Sequence, residues 1–116
     1  MPQQTDSLDA VTAAPRFHSV LLKNEIVRVL DTIVPPGETV PLHTHRWPAV
    51  LYIISWSNCV RRDAEGRATM DSRNAPAPPP GASLWSDPLP PHTLENVGDS
   101  TLRVIAIEQK QNTAQL

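Results

Sequence analysis

Nine of the thirteen prolines, gathered at Pro35-Pro36, in residues 76–80 and in residues 88–91, cut this 116-residue chain into short segments. Each proline fixes φ and removes a backbone donor, so a helix cannot run through such clusters. Short strands joined by stiff turns can. No stretch between the clusters carries a sustained 3.6-residue apolar stripe. Residues 26–34 are rich in β-branched side chains and end at Pro35-Pro36-Gly37, as a strand and its turn should. Further strand-like runs cover residues 49–54, 81–85, 93–97 and 101–108, with Asp63-Ala64-Glu65-Gly66 and Gly98-Asp99 as turns. Asn58, which tolerates positive φ, is expected to help turn the chain after Trp56. Residues 74–80 read as an extended surface loop. About seven to nine short strands predict an all-β sandwich or barrel.

The length suits one domain with one modest core. Residues 1–16 are expected to form a flexible N-terminal arm, 17–110 the β-domain and 111–116 a C-terminal tail. Net charge is −2 and pI about 6.0, which argues against a nucleic-acid or acidic-membrane surface. The single cysteine, Cys59, excludes an intrachain disulfide framework and fits a reducing compartment. No basic leader and no long apolar run is visible, so a cytoplasmic location is expected.

The chemistry is concentrated in three histidines. His43 and His45 are separated by one residue on a strand pattern, so their side chains leave the same face. His92 lies far downstream, ahead of another apolar strand. Two imidazoles on one face form half of a metal site, and a third brought near by barrel closure would complete a three-nitrogen face for a divalent ion. His18 precedes the expected barrel and reads as solvent-exposed, and Arg46 as a surface or interface residue. Glu108 has no spacing that ties it to the histidines.

These residues resemble the two sequence motifs of the cupin superfamily of small jelly-roll barrels. Gly37, His43 and His45 fall on the first motif, G-x5-H-x-H-x3,4-E-x6-G. Gly81, His92 and Asn96 fall on the second, G-x5-P-x-G-x2-H-x3-N. The tract 43–52 is similar to that of small single-domain bacterial cupins, a group with a link to β-alanine degradation. The resemblance implies a small antiparallel jelly-roll β-barrel. It also implies a divalent transition metal (Fe, Zn, Ni or Mn) held by His43, His45 and His92. The chain departs from the pattern at Ala49, which stands where the family has a glutamate ligand.

Trp47, Ala49 and Leu51 continue the histidine face and are expected to line the pocket. Asn96 is expected beside it, tying the backbone near His92 without acting as a ligand. With no carboxylate at Ala49, a bound metal keeps its full charge, and a small anionic ligand is expected in an open position. The corresponding functions are a dioxygenase-like or other metal-dependent enzyme on a small carboxylated metabolite, or a metal-free, non-catalytic binder of a small ligand. A homodimer is expected, formed through the N-terminal arm and the strand at residues 26–34 as an exposed sheet edge.

Overall fold

The structure, a computed structural model, describes residues 7–110. Nine strands are present among them: β1 (His18–Lys23), β2 (Val27–Val34), β3 (Thr39–His45), β4 (Ala49–Ser55), β5 (Cys59–Asp63), β6 (Ala68–Asp71), β7 (Ser83–Ser86), β8 (Leu89–Asn96) and β9 (Leu102–Gln109). One helical turn, α1 (Ala10–Ala13), precedes them, and a 3-10 turn (Ser72–Asn74) follows β6. Two of the three proline clusters fall between elements, whereas the third does not, since Pro90 and Pro91 lie within β8. Pro35-Pro36 follows β2, and the proline-rich stretch of residues 76–80 links the 3-10 turn to β7.

The strands form two antiparallel sheets, ordered β1-β2-β9-β4-β7 and β3-β8-β5-β6. The main core lies between them, where Val34 of β2 and Leu102 of β9 meet Val40 of β3 and Cys59 of β5. Alternation along each strand decides which side chains enter. On β2 it sends Arg28, Leu30 and Val34 inward and leaves Ile33 exposed. The all-β jelly-roll expected from the sequence is therefore the observed architecture.

Three local expectations are corrected. The strand at 26–34 is not an edge, because β2 is bonded on one side to β1 and on the other to β9. It has no free ladder to offer a second copy. The described part of the expected arm, residues 7–16, is docked. Thr44 N–H donates to Leu8 O at 2.6 Å, Ala10 and Ala14 are buried, and residues 1–6 lie outside the described set, as does the expected tail at 111–116. Asn58 does not turn the chain with positive φ, since no described non-glycine residue has one. Its carbonyl instead accepts from Val97 and Gly98 N–H. Gly98 must be glycine because a Cβ there would stand 2.2 Å from Ser57 Oγ.

Candidate metal centre

The register of β3 against β8 places His43 directly across from His92, and their ring centroids are 4.2 Å apart. His45, two residues on, has its ring 4.9 Å from His43 and 5.6 Å from His92. The three histidines singled out in the sequence are thus neighbours inside the fold. A fourth joins them. His18, expected to face solvent, is 4 % exposed and packs 5.1 Å from His43 and 5.5 Å from His45. His18, His43 and His45 form a trio whose ligating nitrogens all lie within 4.8 Å of one another. His18 enters because β1 pairs with β2 in a hairpin, His18 opposite Thr32. The apolar run that follows His18 was the available signal.

The hydrogen bonds at the ring nitrogens fix the chemistry of the cluster. Nδ1 of His43 lies 2.7 Å from Pro41 O, Nδ1 of His92 2.7 Å from Pro90 O, and Nδ1 of His18 3.0 Å from Ala14 O. A carbonyl oxygen can only accept, so in each ring Nδ1 carries the hydrogen and donates it. Nε2 is then left with its lone pair, the form in which imidazole binds a metal. Burial holds these rings neutral. Desolvation pulls His43 down to about 2, helped by the neighbouring His92 and His45. Desolvation likewise pulls His18 and His92 to about 4.

His45 differs in its partner, since its Nδ1 donates to Oε2 of Glu108 at 3.2 Å. Glu108 is fully buried and sits opposite Ala49 in the β4–β9 ladder. The carboxylate missing at Ala49 is therefore present one strand away, set behind a histidine. Its other oxygen accepts from Arg28 Nε at 2.6 Å, and Arg28 gives its remaining two nitrogens to Asp9 at 2.8 and 2.9 Å. Burial raises the Asp9 and Glu108 carboxyls, but the bonds from Arg28, and for Glu108 first that from His45, outweigh it. Both end below the usual carboxylate range. Asp9 also caps α1 by accepting from Val11 N–H at 3.2 Å, so the triad pins the N-terminal segment beneath the histidines.

A cavity of about 150 Å³ opens onto the four histidines. Trp47, Ala49, Leu51 and Trp56 line it. Trp47 carries the guanidinium of Arg28 at 5.0 Å and that of Arg46 at 4.3 Å from its ring centroid. Arg46 is thus packed on the pocket's aromatic wall. Asn96 is not in the cavity wall. It is fully buried, donates to Val34 O and Ser100 O, and accepts from Ser57 Oγ and Gly98 N–H. Its role is to lock the turn between β8 and β9.

No family model and no curated protein matches the sequence. Among solved structures, the chain is similar to a cupin domain from Bordetella pertussis Tohama I, at 22 % identity and TM-score 0.67 over 81 % of this chain and 92 % of that one. It is similar to an RmlC-like cupin family protein with a double-stranded β-helix fold from Methanocaldococcus jannaschii, at 14 % identity and TM-score 0.58 over 84 % and 83 %. It is also similar to a predicted oxalate decarboxylase from Thermotoga maritima, at 23 % identity and TM-score 0.52 over 81 % and 79 %. These likenesses establish the fold, which is that of the cupins.

Proposed function

We propose that this protein binds one divalent transition metal ion (Fe, Zn, Ni or Mn) among His18, His43, His45 and His92. The observation that carries the reading is the uniform tautomer of the cluster. Three buried rings have Nδ1 bonded to a carbonyl and the fourth to a carboxylate, leaving four Nε2 lone pairs. Three buried histidines and a half-buried fourth, whose Nε2 atoms have no hydrogen-bond partner among the described residues, fit a metal better than they fit a packed core. His43 and His45, with His18 or His92, are the residues that would hold the ion. A metal bound there supplies a Lewis acid, and with it either activated water or a place for a substrate oxygen. Elemental analysis of protein purified without chelators tests this. About one metal ion per chain is expected, and a metal-free protein that takes up none on titration would leave a small-ligand binder as the function.

Glu108 acts through His45 as a positioning residue. Its carboxylate fixes the His45 tautomer and raises the basicity of Nε2. Glu108→Gln keeps the shape and removes the charge. It is expected to weaken metal affinity roughly 10- to 100-fold, as partners behind metal-bound histidines do, measured by competition with a chromophoric chelator. Unchanged affinity would mean that the backbone alone orients His45.

The expected homodimer now finds its support on the outer surface of the first sheet. Ile33, Tyr52, Ile54 and Trp85 are exposed there on β2, β4 and β7, more apolar surface than a solvated sheet face needs. Light scattering should give twice the 12.8 kDa chain mass, and a single chain mass would remove this proposal. Among the described residues no helix is long and apolar enough to cross a membrane.

A further inference from the structure

Two arginines face the interior, and only one has its charge matched. Arg28 is held by Asp9 and Glu108. Arg61 lies on β5 and lines the same cavity as the four histidines. Among the described residues its side chain makes no hydrogen bond and no ion pair. The carboxylates closest to it along the sheet are already committed. Asp63 accepts from the N–H groups of Glu65 and Arg67 in the following turn, and Glu95 pairs with Arg62 at 2.8 Å. Arg61 is near enough to His92 to help hold that ring neutral, and its own pKa is lowered by desolvation. Arg61 is half-buried, its nitrogens keep access to solvent, and its fork is therefore available to an anion that enters the cavity.

The cavity holds a second unmet group. Trp56 lines it, and its indole Nε1–H is buried with no acceptor among the described residues. A buried donor without a partner marks a place where something outside the chain completes the hydrogen bonding. Beyond these two groups the wall is mainly apolar, with Val40, Leu51, Met70 and Leu94 among its residues. A cavity of about 150 Å³ has room for about five waters, and so for a metabolite of roughly five or six heavy atoms.

We propose that the cavity binds a small organic carboxylate, its anionic end paired with the Arg61 guanidinium and its other end turned toward the histidine cluster. The identity of the far end rests on the metal reading, whereas the Arg61 end does not. Arginine suits this role because its planar fork takes a carboxylate with two parallel bonds. The anion is selected by a dedicated residue, and not by the charge that Ala49 leaves uncompensated, since Glu108 already stands behind His45.

The test uses glycolate and glycolamide, equal in size and different in charge, titrated into the whole protein both metal-free and loaded with Co²⁺. Binding is read as a thermal shift and by calorimetry. Glycolate should bind at least tenfold more tightly than glycolamide in both forms. Arg61→Gln should erase that preference while leaving the visible spectrum of bound Co²⁺ unchanged. Arg61→Lys, which keeps the charge and loses the fork, should retain part of the preference and serves if the glutamine variant does not fold. Equal response to the two compounds in the wild type, or a preference that survives in Arg61→Gln, overturns the proposal. A protein that fails to bind Co²⁺ but still prefers glycolate through Arg61 overturns the metal reading and leaves this one standing.

Discussion

Arg28→Met is expected to destabilise the protein by about 3–5 kcal/mol, the range found when one member of a buried ion pair is removed. The cause is what the substitution leaves behind. Arg28, Asp9 and Glu108 are 7 %, 6 % and 0 % exposed, so two carboxylates would remain in the interior without their cation. For a domain of about this size each kcal/mol moves Tm by several degrees, so a drop of roughly 15 °C or more is expected. The effect should spread beyond stability. Asp9 would lose its anchor and Glu108 its orientation, loosening α1 and the support of His45 together. Adding Asp9→Leu to Arg28→Met should recover part of the loss, because one orphaned charge is then gone. Urea unfolding of the two variants checks this. A single variant within 1 kcal/mol of wild type would show that the triad does not hold the N-terminal segment.

Metal-free protein is expected to lose stability steeply as pH falls from about 6.5 toward 4. His18 and His92 titrate near 4 in the folded state and His43 near 2, against an ordinary 6.5. Folding therefore excludes protons that the unfolded chain takes up. The stability is complete above 6.5 and declines below it at up to about 1.4 kcal/mol per pH unit for each histidine, or about 4 for the three together. Asp9 and Glu108, whose pKa values are lowered, contribute stability that is present above about 4 and lost only on further acidification. The decline should begin well before carboxylate titration does. Bound metal should move it to lower pH, because a metal holds its imidazoles deprotonated. Urea midpoints at pH 7 and pH 5, with and without metal, measure both effects. Equal midpoints at the two pH values in the metal-free protein would contradict the burial of neutral rings.

The parts of this site that depend on local spacing were legible in the sequence. The clusters at Pro35-Pro36 and in residues 76–80 mark strand ends because their effect on the backbone is local, although Pro90 and Pro91 sit inside β8. The spacing of His43 and His45 puts them on one strand face, and the motif positions bring His92 toward them, as the pairing of His43 with His92 across β3 and β8 does. What escaped depends on contacts that only the folded chain makes. His18 reads as a lone polar residue until the β1–β2 hairpin turns it inward, and that hairpin's register shifts between Val20 and Leu22. Glu108 looks like an ordinary charge near a strand end, because the partner that explains it, Arg28, is 80 residues away. Asp9 is hidden in the same way within a segment whose composition suggests an arm. Nothing in the sequence distinguishes Arg61 from Arg62, yet strand alternation sends one to the cavity and the other to Glu95. Asn96 went the other way. Its motif position suggests a pocket wall, whereas its amide spends its hydrogen bonds on the adjacent turn and on Val34 and Ser57.

Visible absorption of Co²⁺ titrated into metal-free protein at pH 7.5 tests the histidine centre most directly, since d–d bands report ligand number and geometry around the ion itself. The expected result is saturation at one equivalent with the spectrum of a nitrogen-rich site, abolished in the double variant His43→Ala/His45→Ala and altered in His18→Ala and in His92→Ala. Co²⁺ that remains in the spectrum of the aqueous ion, or a spectrum unchanged by loss of His43 and His45, would contradict it.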